Sequence, residues 1–278
     1  MNKKRGLAAY PYLLWSLLFI VVPLIIVLFF SFTKKIDSQY VFSLENYQKL
    51  ISPQYLKVFG RSLLLAVIST VACLVMGYPI AYMISKMNVG KRNVLIMLFI
   101  LPMWMNFLLR TYSWLAILGK NGIINTLLGY IGIGPLNLLY NDGTVILGMI
   151  YNFLPFMVIP IYTVLIKIDS DLISAAQDLG ADRRILFKRV IFPLSIPGVM
   201  SGITMVFMPA VSTFIISSLL GGGQYMLVGN LIEQQFTNIG DWNFGSAISI
   251  FMMIIILISM ALLSRYEGES DKEGGALL

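Results

Sequence analysis

Six stretches of roughly 20 mostly apolar residues, each long enough to cross a hydrocarbon layer about 30 Å thick, constrain this chain more than any other feature. They fall at Tyr10–Phe32, Ser62–Ser85, Val94–Leu118, Thr144–Ile166, Ile196–Leu219 and Phe244–Ser264. Inside a bilayer no water is available to satisfy peptide groups, so each stretch predicts a helix whose backbone pairs with itself. The expected fold class is an all-α integral membrane protein with six transmembrane helices. Composition agrees. Of 278 residues, 58% are hydrophobic and 12% charged, whereas a soluble domain carries about 25% charged residues. So few charges would leave a soluble core uncovered.

Charge placement predicts orientation. If the N-terminus faces the cytoplasm, six of the 20 basic residues (Lys34, Lys35, Lys49, Lys57, Arg61 and Lys120) lie outside and Arg110 lies within a span. That leaves 20 − 6 − 1 = 13 on the cytoplasmic side. Cytoplasmic loops are enriched in Lys and Arg, so both termini are expected inside. The net charge of +7 therefore points to membrane orientation, and no nucleic-acid partner is expected. The first stretch is too long for a signal-peptide core, contains Pro23 and is followed by no small-x-small cleavage site, so it reads as a retained anchor. The chain is expected to be a single permease domain over 1–278, ending in a short acidic tail (265–278) expected to be disordered.

Several chemistries are excluded. There is no histidine and one cysteine, Cys73, inside an apolar run. Structural disulfides, Cys/His metal sites and histidine-based catalysis have no residues to use. Neither Gly90-Lys91 nor Gly119-Lys120 has the glycine five positions earlier that a phosphate-binding P-loop requires, so no ATP hydrolysis is expected of this chain. Gly240-Asp241 lacks the preceding glycine of an intramembrane G-x-G-D protease. No catalytic residue, cofactor or metal site is expected.

The segment 169–198 between the fourth and fifth spans carries the most information. Asp169 or Ser170 can cap a short helix, Asp171 is favourable in its first turn, and Gly180 can end it. Asp182 can cap a second helix with Lys188 and Arg189 near its C-terminus, and Pro193 is expected to break the chain before the next span. The first helix bears Leu172, Ile173, Ala175, Ala176 and Leu179. A small apolar knob on a cytoplasmic loop suits a groove on a partner, and equally suits a membrane surface.

The order Ser174-Ala175-Ala176-x-x-Leu179-Gly180-Ala181, followed by Phe187, Val190, Pro193-Leu194 and Pro197-Gly198, resembles the EAA loop of binding-protein-dependent ABC importer permeases. The resemblance implies the type I ABC importer permease fold, with 169–198 as the coupling loop that docks on a nucleotide-binding subunit. It places Asp171, Ser174, Ala175, Ala176, Leu179, Gly180, Arg183 and Phe187 at that contact. The family's usual glutamate is Ser174 here, so the contact is expected to rest on apolar fit. Leu101-Pro-Met-Trp-Met-Asn-Phe-Leu-Leu-Arg-Thr-Tyr-Ser-Trp114, Leu219-Leu-Gly-Gly-Gly223, Val228-Gly-Asn-Leu-Ile-Glu-Gln-Gln-Phe236 and Asp241-Trp-Asn-Phe-Gly245 are similar to spermidine/putrescine permeases of the PotB type. That similarity implies a bacterial plasma-membrane complex. Its other members would be a second, PotC-like permease, an ATPase homodimer that binds ATP and Mg, and an extracellular polyamine-binding protein.

The solute path is less legible. Polyamines are flexible polycations suited to carboxylates and aromatic faces. Trp104, Tyr112 and Trp114, with Glu233 and Asp241 in the last outer loop, are candidate path residues read from their chemistry alone. The residues by themselves leave open an ABC permease for another small solute, or an ion-driven secondary transporter. The six spans hold no Asp or Glu, which weighs against the latter. Arg110 is expected to be paired or to snorkel, and the prolines in the spans to kink them.

Overall fold

A computed structural model describes residues 10–36, 39–223 and 226–274, with side chains over 11–36, 39–223 and 226–262. Lys3, Lys4 and Arg5, used above for orientation, and residues 275–278 lie outside the described residues.

Helix α1 (Pro11–Ser31) leads into an antiparallel hairpin of β1 (Thr33–Ile36) and β2 (Gln39–Phe42) and a short helix α2 (Glu45–Leu50). Then come α3 (Pro53–Ser85), α4 (Val89–Ile100), α5 (Phe107–Leu118) and α6 (Ile123–Tyr130). After these run α7 (Asp142–Leu165), α8 (Ser170–Asp178) and α9 (Arg183–Ser212). Two short helices, α10 (Ile215–Leu220) and α11 (Val228–Glu233), precede α12 (Trp242–Gly274).

The core is the α3–α7–α9 triad. Along α7, Val145, Met149, Met157, Val158 and Ile161 are fully buried, at spacings that keep them on the faces turned to α3 and α9. Helices in a bilayer gain nothing by hiding from water there, so close packing must hold them together. Glycines supply it. A Cβ on Gly202 would sit 2.7 Å from Met157 Sδ, and one on Gly198 would sit 2.9 Å from the Pro160 carbonyl oxygen. By contrast, the most apolar stretch of α1 has no buried residue. α1 is tied at its C-terminal end, where the Asn243 amide at the start of α12 donates to the carbonyls of Phe30 (3.1 Å) and Thr33 (2.8 Å). Arg61 on α3 pairs with Asp142 at the N-terminus of α7 at 2.6 Å.

Four expectations need correction. The third span, expected as one helix over Val94–Leu118, is broken: Val89–Trp104 and Phe107–Tyr130 meet at 93°. Pro102 offers no N–H and its ring crowds the carbonyl four residues back, which ends α4 in a tight turn over Leu101–Trp104. Asn106 restarts the chain by accepting from the N–H groups of Leu108 (2.8 Å) and Leu109 (3.3 Å). Asn106→Ala leaves two N–H groups without their acceptor. It is expected to cost about 1–2 kcal/mol, seen as a lower unfolding temperature of the detergent-solubilised protein, with Asn106→Asp retaining most of the stability.

The fifth span, expected over Ile196–Leu219, ends at Ser212, and Thr213 is extended. Continuous apolarity conceals this break, because its cause lies elsewhere in the chain. The α11 backbone crosses so close to Ser212 and Thr213 that only glycine fits at 229, and the Asn230 amide donates at 3.0 Å to the Phe214 carbonyl, which also accepts from the Ser218 N–H at 2.8 Å.

The second loop helix does not stop before Pro193. It continues through a π turn, Phe187–Ile191, into the fifth span. The same arrangement precedes Pro23, where the π turn is Leu17–Val21. In both places the turn ends two residues before a proline. The carbonyl crowded by that ring (Arg189 or Phe19) lies in the widened turn, which accommodates the proline without ending the helix. Finally, the tail expected as disordered from 265 stays helical to Gly274. Extending an existing helix carries no nucleation cost.

Candidate functional site

The loop between α7 and α9 is built by local hydrogen bonds at each end of α8. Asp169 Oδ1 accepts from the Asp171 N–H at 2.9 Å, capping the N-terminus. At the other end Gly180 has φ +82°. Its N–H donates to Gln177 O (2.9 Å), and the Ala181 N–H donates to Ala176 O (3.0 Å). This pair of bonds closes a helix end only where the residue after the cap is left-handed, which favours glycine at 180. Asp182 then caps α9 through the Ile185 N–H at 2.7 Å. The two caps and the glycine stop fix the direction in which α8 presents its surface.

That surface divides in two. Ile173 and Ala176 turn inward and pack against the core, and Leu186 is buried. Leu179 is 90% exposed and Leu172 52% exposed. Asp171, Ser174, Ala175, Gly180 and Arg183 are exposed as well. The Ser174 hydroxyl donates to Ser170 O at 3.1 Å, so its hydrogen bond is spent within its own helix. The sequence treats Ala176 and Leu179 as equals. The fold turns Ala176 inward and leaves Leu179 exposed.

Phe187 is half-buried and is the mechanical root of the loop. Its ring meets Tyr78 (5.9 Å between centroids) and Tyr82 (5.6 Å), both edge-on, and Phe192 (6.3 Å). The Tyr78 and Ser195 hydroxyls are 2.8 Å apart. These contacts join the start of α9 to the C-terminal end of α3. Sequence reasoning missed Tyr78 and Tyr82; the available signal was an aromatic pair at i, i+4 near a span's inner end. Phe187→Ala removes three ring contacts and is expected to cost about 2 kcal/mol of local packing. Partner binding should survive while transport per ATP hydrolysed falls several-fold, measured as the uptake-to-hydrolysis ratio in proteoliposomes.

The candidate path residues are not brought together. Trp104, 79% exposed, sits at the break of the third span beside a 340 Å³ cavity that Asn93, Met97 and Tyr162 also line. Tyr112 is 52% exposed. Trp114 packs edge-on against Tyr151 at 5.3 Å, so its ring is engaged in packing. Glu233 ends α11 and is half-buried. Asp241 accepts from the Phe244 N–H at 3.0 Å, a cap for α12. It lines a separate outer cleft of 390 Å³ with Lys34, Lys35, Lys49 and Glu45. Three lysines against two carboxylates make that cleft a poor seat for a polycation.

A mainly helical bundle of five spans and a sixth, broken one, with one core triad and a capped loop helix, defines a multi-pass membrane permease of the ABC importer type. The chain belongs to the family of binding-protein-dependent transport system inner membrane components, whose model matches residues 74–267. It is 40% identical over 247 residues to the spermidine/putrescine transport system permease protein PotB of Escherichia coli, covering 87% of this chain and 90% of that one. Identity is also 40% over 249 residues to PotB of Haemophilus influenzae, covering 88% and 87%. The fold is similar to a chain of a bacterial ABC transporter involved in alginate import, with a TM-score of 0.81, 19% identity and 96% of each chain covered.

Proposed function

We propose that this chain forms half of the translocation path of an ATP-driven importer for the polyamines spermidine and putrescine. The observation that carries the reading is 40% identity, sustained over most of the chain, with permeases named for those solutes. The partners are a second, PotC-like permease, a pair of ATPase subunits that bind ATP and Mg, and an extracellular polyamine-binding protein that delivers the solute. Both termini face the cytoplasm, as the 13-to-6 distribution of basic residues favours.

The ATPase contact is made by α8 and its flanks: Leu179 enters a groove on the ATPase, Ala175 and Gly180 allow close approach, and Asp171 and Arg183 lie at the rim. Ser174 makes no ionic contact. ATP-closed and open forms of the ATPase bind the two coupling loops in different arrangements, and only that difference in affinity can move the permeases. The solute passes the break in the third span, beside Trp104 and Tyr112, whose exposed faces suit a cation. Trp114, Glu233 and Asp241 act indirectly, by supporting the path and its outer mouth.

The test is reconstitution of the chain with its second permease, ATPase and binding protein in proteoliposomes. Uptake of labelled spermidine that requires ATP and is competed by putrescine is the expected result. ATP-dependent uptake of another solute with indifference to both polyamines would reject the substrate assignment. Uptake that continues without ATP would reject the ATP-driven mechanism.

A further inference from the structure

Arg110 is 8% exposed and its Nε has no hydrogen-bond partner. The group facing its guanidinium is the Phe107 ring, 5.9 Å from Cζ, at the outer limit of a cation–π contact, about 6 Å. Between described residues the side-chain ion pairs are Lys34–Glu45 and Arg61–Asp142. From Pro11 to Leu262 the spanning helices hold one acid, Asp142, at the outermost residue of α7. Among the described residues, the spanning helices therefore supply no carboxylate for Arg110, since Asp142 pairs with Arg61.

Arg110 lies on α5 within the third span, one turn from Trp114, which meets Tyr151 on α7. A charge within a span must face the protein interior or a polar partner. A polyamine carries the same sign. The neighbouring surface at Met105 and Leu109 is exposed and apolar, which suits contact with another spanning helix.

We propose that Arg110 pairs with an intramembrane carboxylate of the second permease subunit, setting the register between the two halves of the path. This rests on the reading that the chain works beside a second permease. The pairing also removes a fixed positive charge from the neighbourhood of a cationic solute.

The test uses both permeases co-expressed with the ATPase and recovered from membranes in mild detergent, without solute. Arg110→Met is expected to reduce co-purified second permease at least tenfold with this chain's own membrane level unchanged, and Arg110→Lys to retain most of it. Neutralising each Asp or Glu in the second permease's spans in turn should reveal one that gives the same loss. Exchanging charges, Arg110→Asp with that acid→Arg, should restore assembly. Normal assembly of Arg110→Met overturns the proposal. So does a loss that no exchange with any of those acids restores, including the case in which Arg110→Met lowers the chain's own level. Because the recovery step needs no solute, its failure leaves the polyamine assignment standing, and a wrong solute leaves the pairing standing.

Discussion

Replacing Leu179 by aspartate is expected to abolish ATP-driven uptake while leaving the permease folded and inserted. Leu179 is 90% exposed, so the chain itself loses no packing. Withdrawal of a leucine from a partner groove forfeits about 2 kcal/mol. Placing an unpaired carboxylate there adds a desolvation cost of similar size or larger. Together they predict a fall in ATPase affinity of roughly 100-fold or more, since each 1.4 kcal/mol is about tenfold. Retention of the ATPase on the purified permease would be measured beside uptake. Full retention and undiminished uptake of Leu179→Asp would reject α8 as the docking element. Ala176→Asp is a less selective test, because Ala176 packs inward and the substitution would disturb the core as well.

Gly198→Leu is expected to give the largest loss of stability. A Cβ at this position would lie 2.9 Å from the Pro160 carbonyl oxygen and 3.1 Å from Ile161 Cα. Both are backbone atoms of α7, so no side-chain rotation can make room. α7 and α9 would have to move apart where one backbone approaches the other. Overpacking of this kind costs about 1–3 kcal/mol and sometimes more. The measurement is thermal unfolding of the detergent-solubilised protein, with Gly60→Leu as the control. Nothing lies within 4 Å of a Cβ there, and its unfolding temperature should be almost unchanged. Equal unfolding temperatures for the two variants would contradict close α7–α9 packing.

The parts of the fold that could be read from the sequence are those governed by local rules. The number of spans follows from bilayer thickness and the length of each apolar run. The loop over 169–198 followed from Asp169, Gly180 and Asp182, whose capping roles need no distant residue, and the observed bonds use these three groups. The broken third span was misread although its cause is local. Pro102 and Asn106 were visible, but proline kinks are common in membrane helices and the angle of a kink is set by what packs around it.

Other features had no local signal. The fifth span ends at Ser212, where Gly229 and Asn230, arriving from α11, pack against the break. The candidate path residues were chosen by chemical type, and type alone could not show that Trp114 is spent on Tyr151 or that Asp241 is spent on a helix cap. The same holds within the coupling helix, where Ala176 and Leu179 look alike as apolar letters.

By itself, the sequence determined that this chain is built of membrane-spanning helices and that a capped helix lies between its fourth and fifth spans. These depend on run length, charge placement and capping, all short-range along the chain. Only the tertiary structure decided which apolar residue of that helix is exposed, which aromatics join the start of α9 to α3, and that Arg110 has no counter-charge among the described residues. Each of these is fixed by residues far apart in sequence meeting in space.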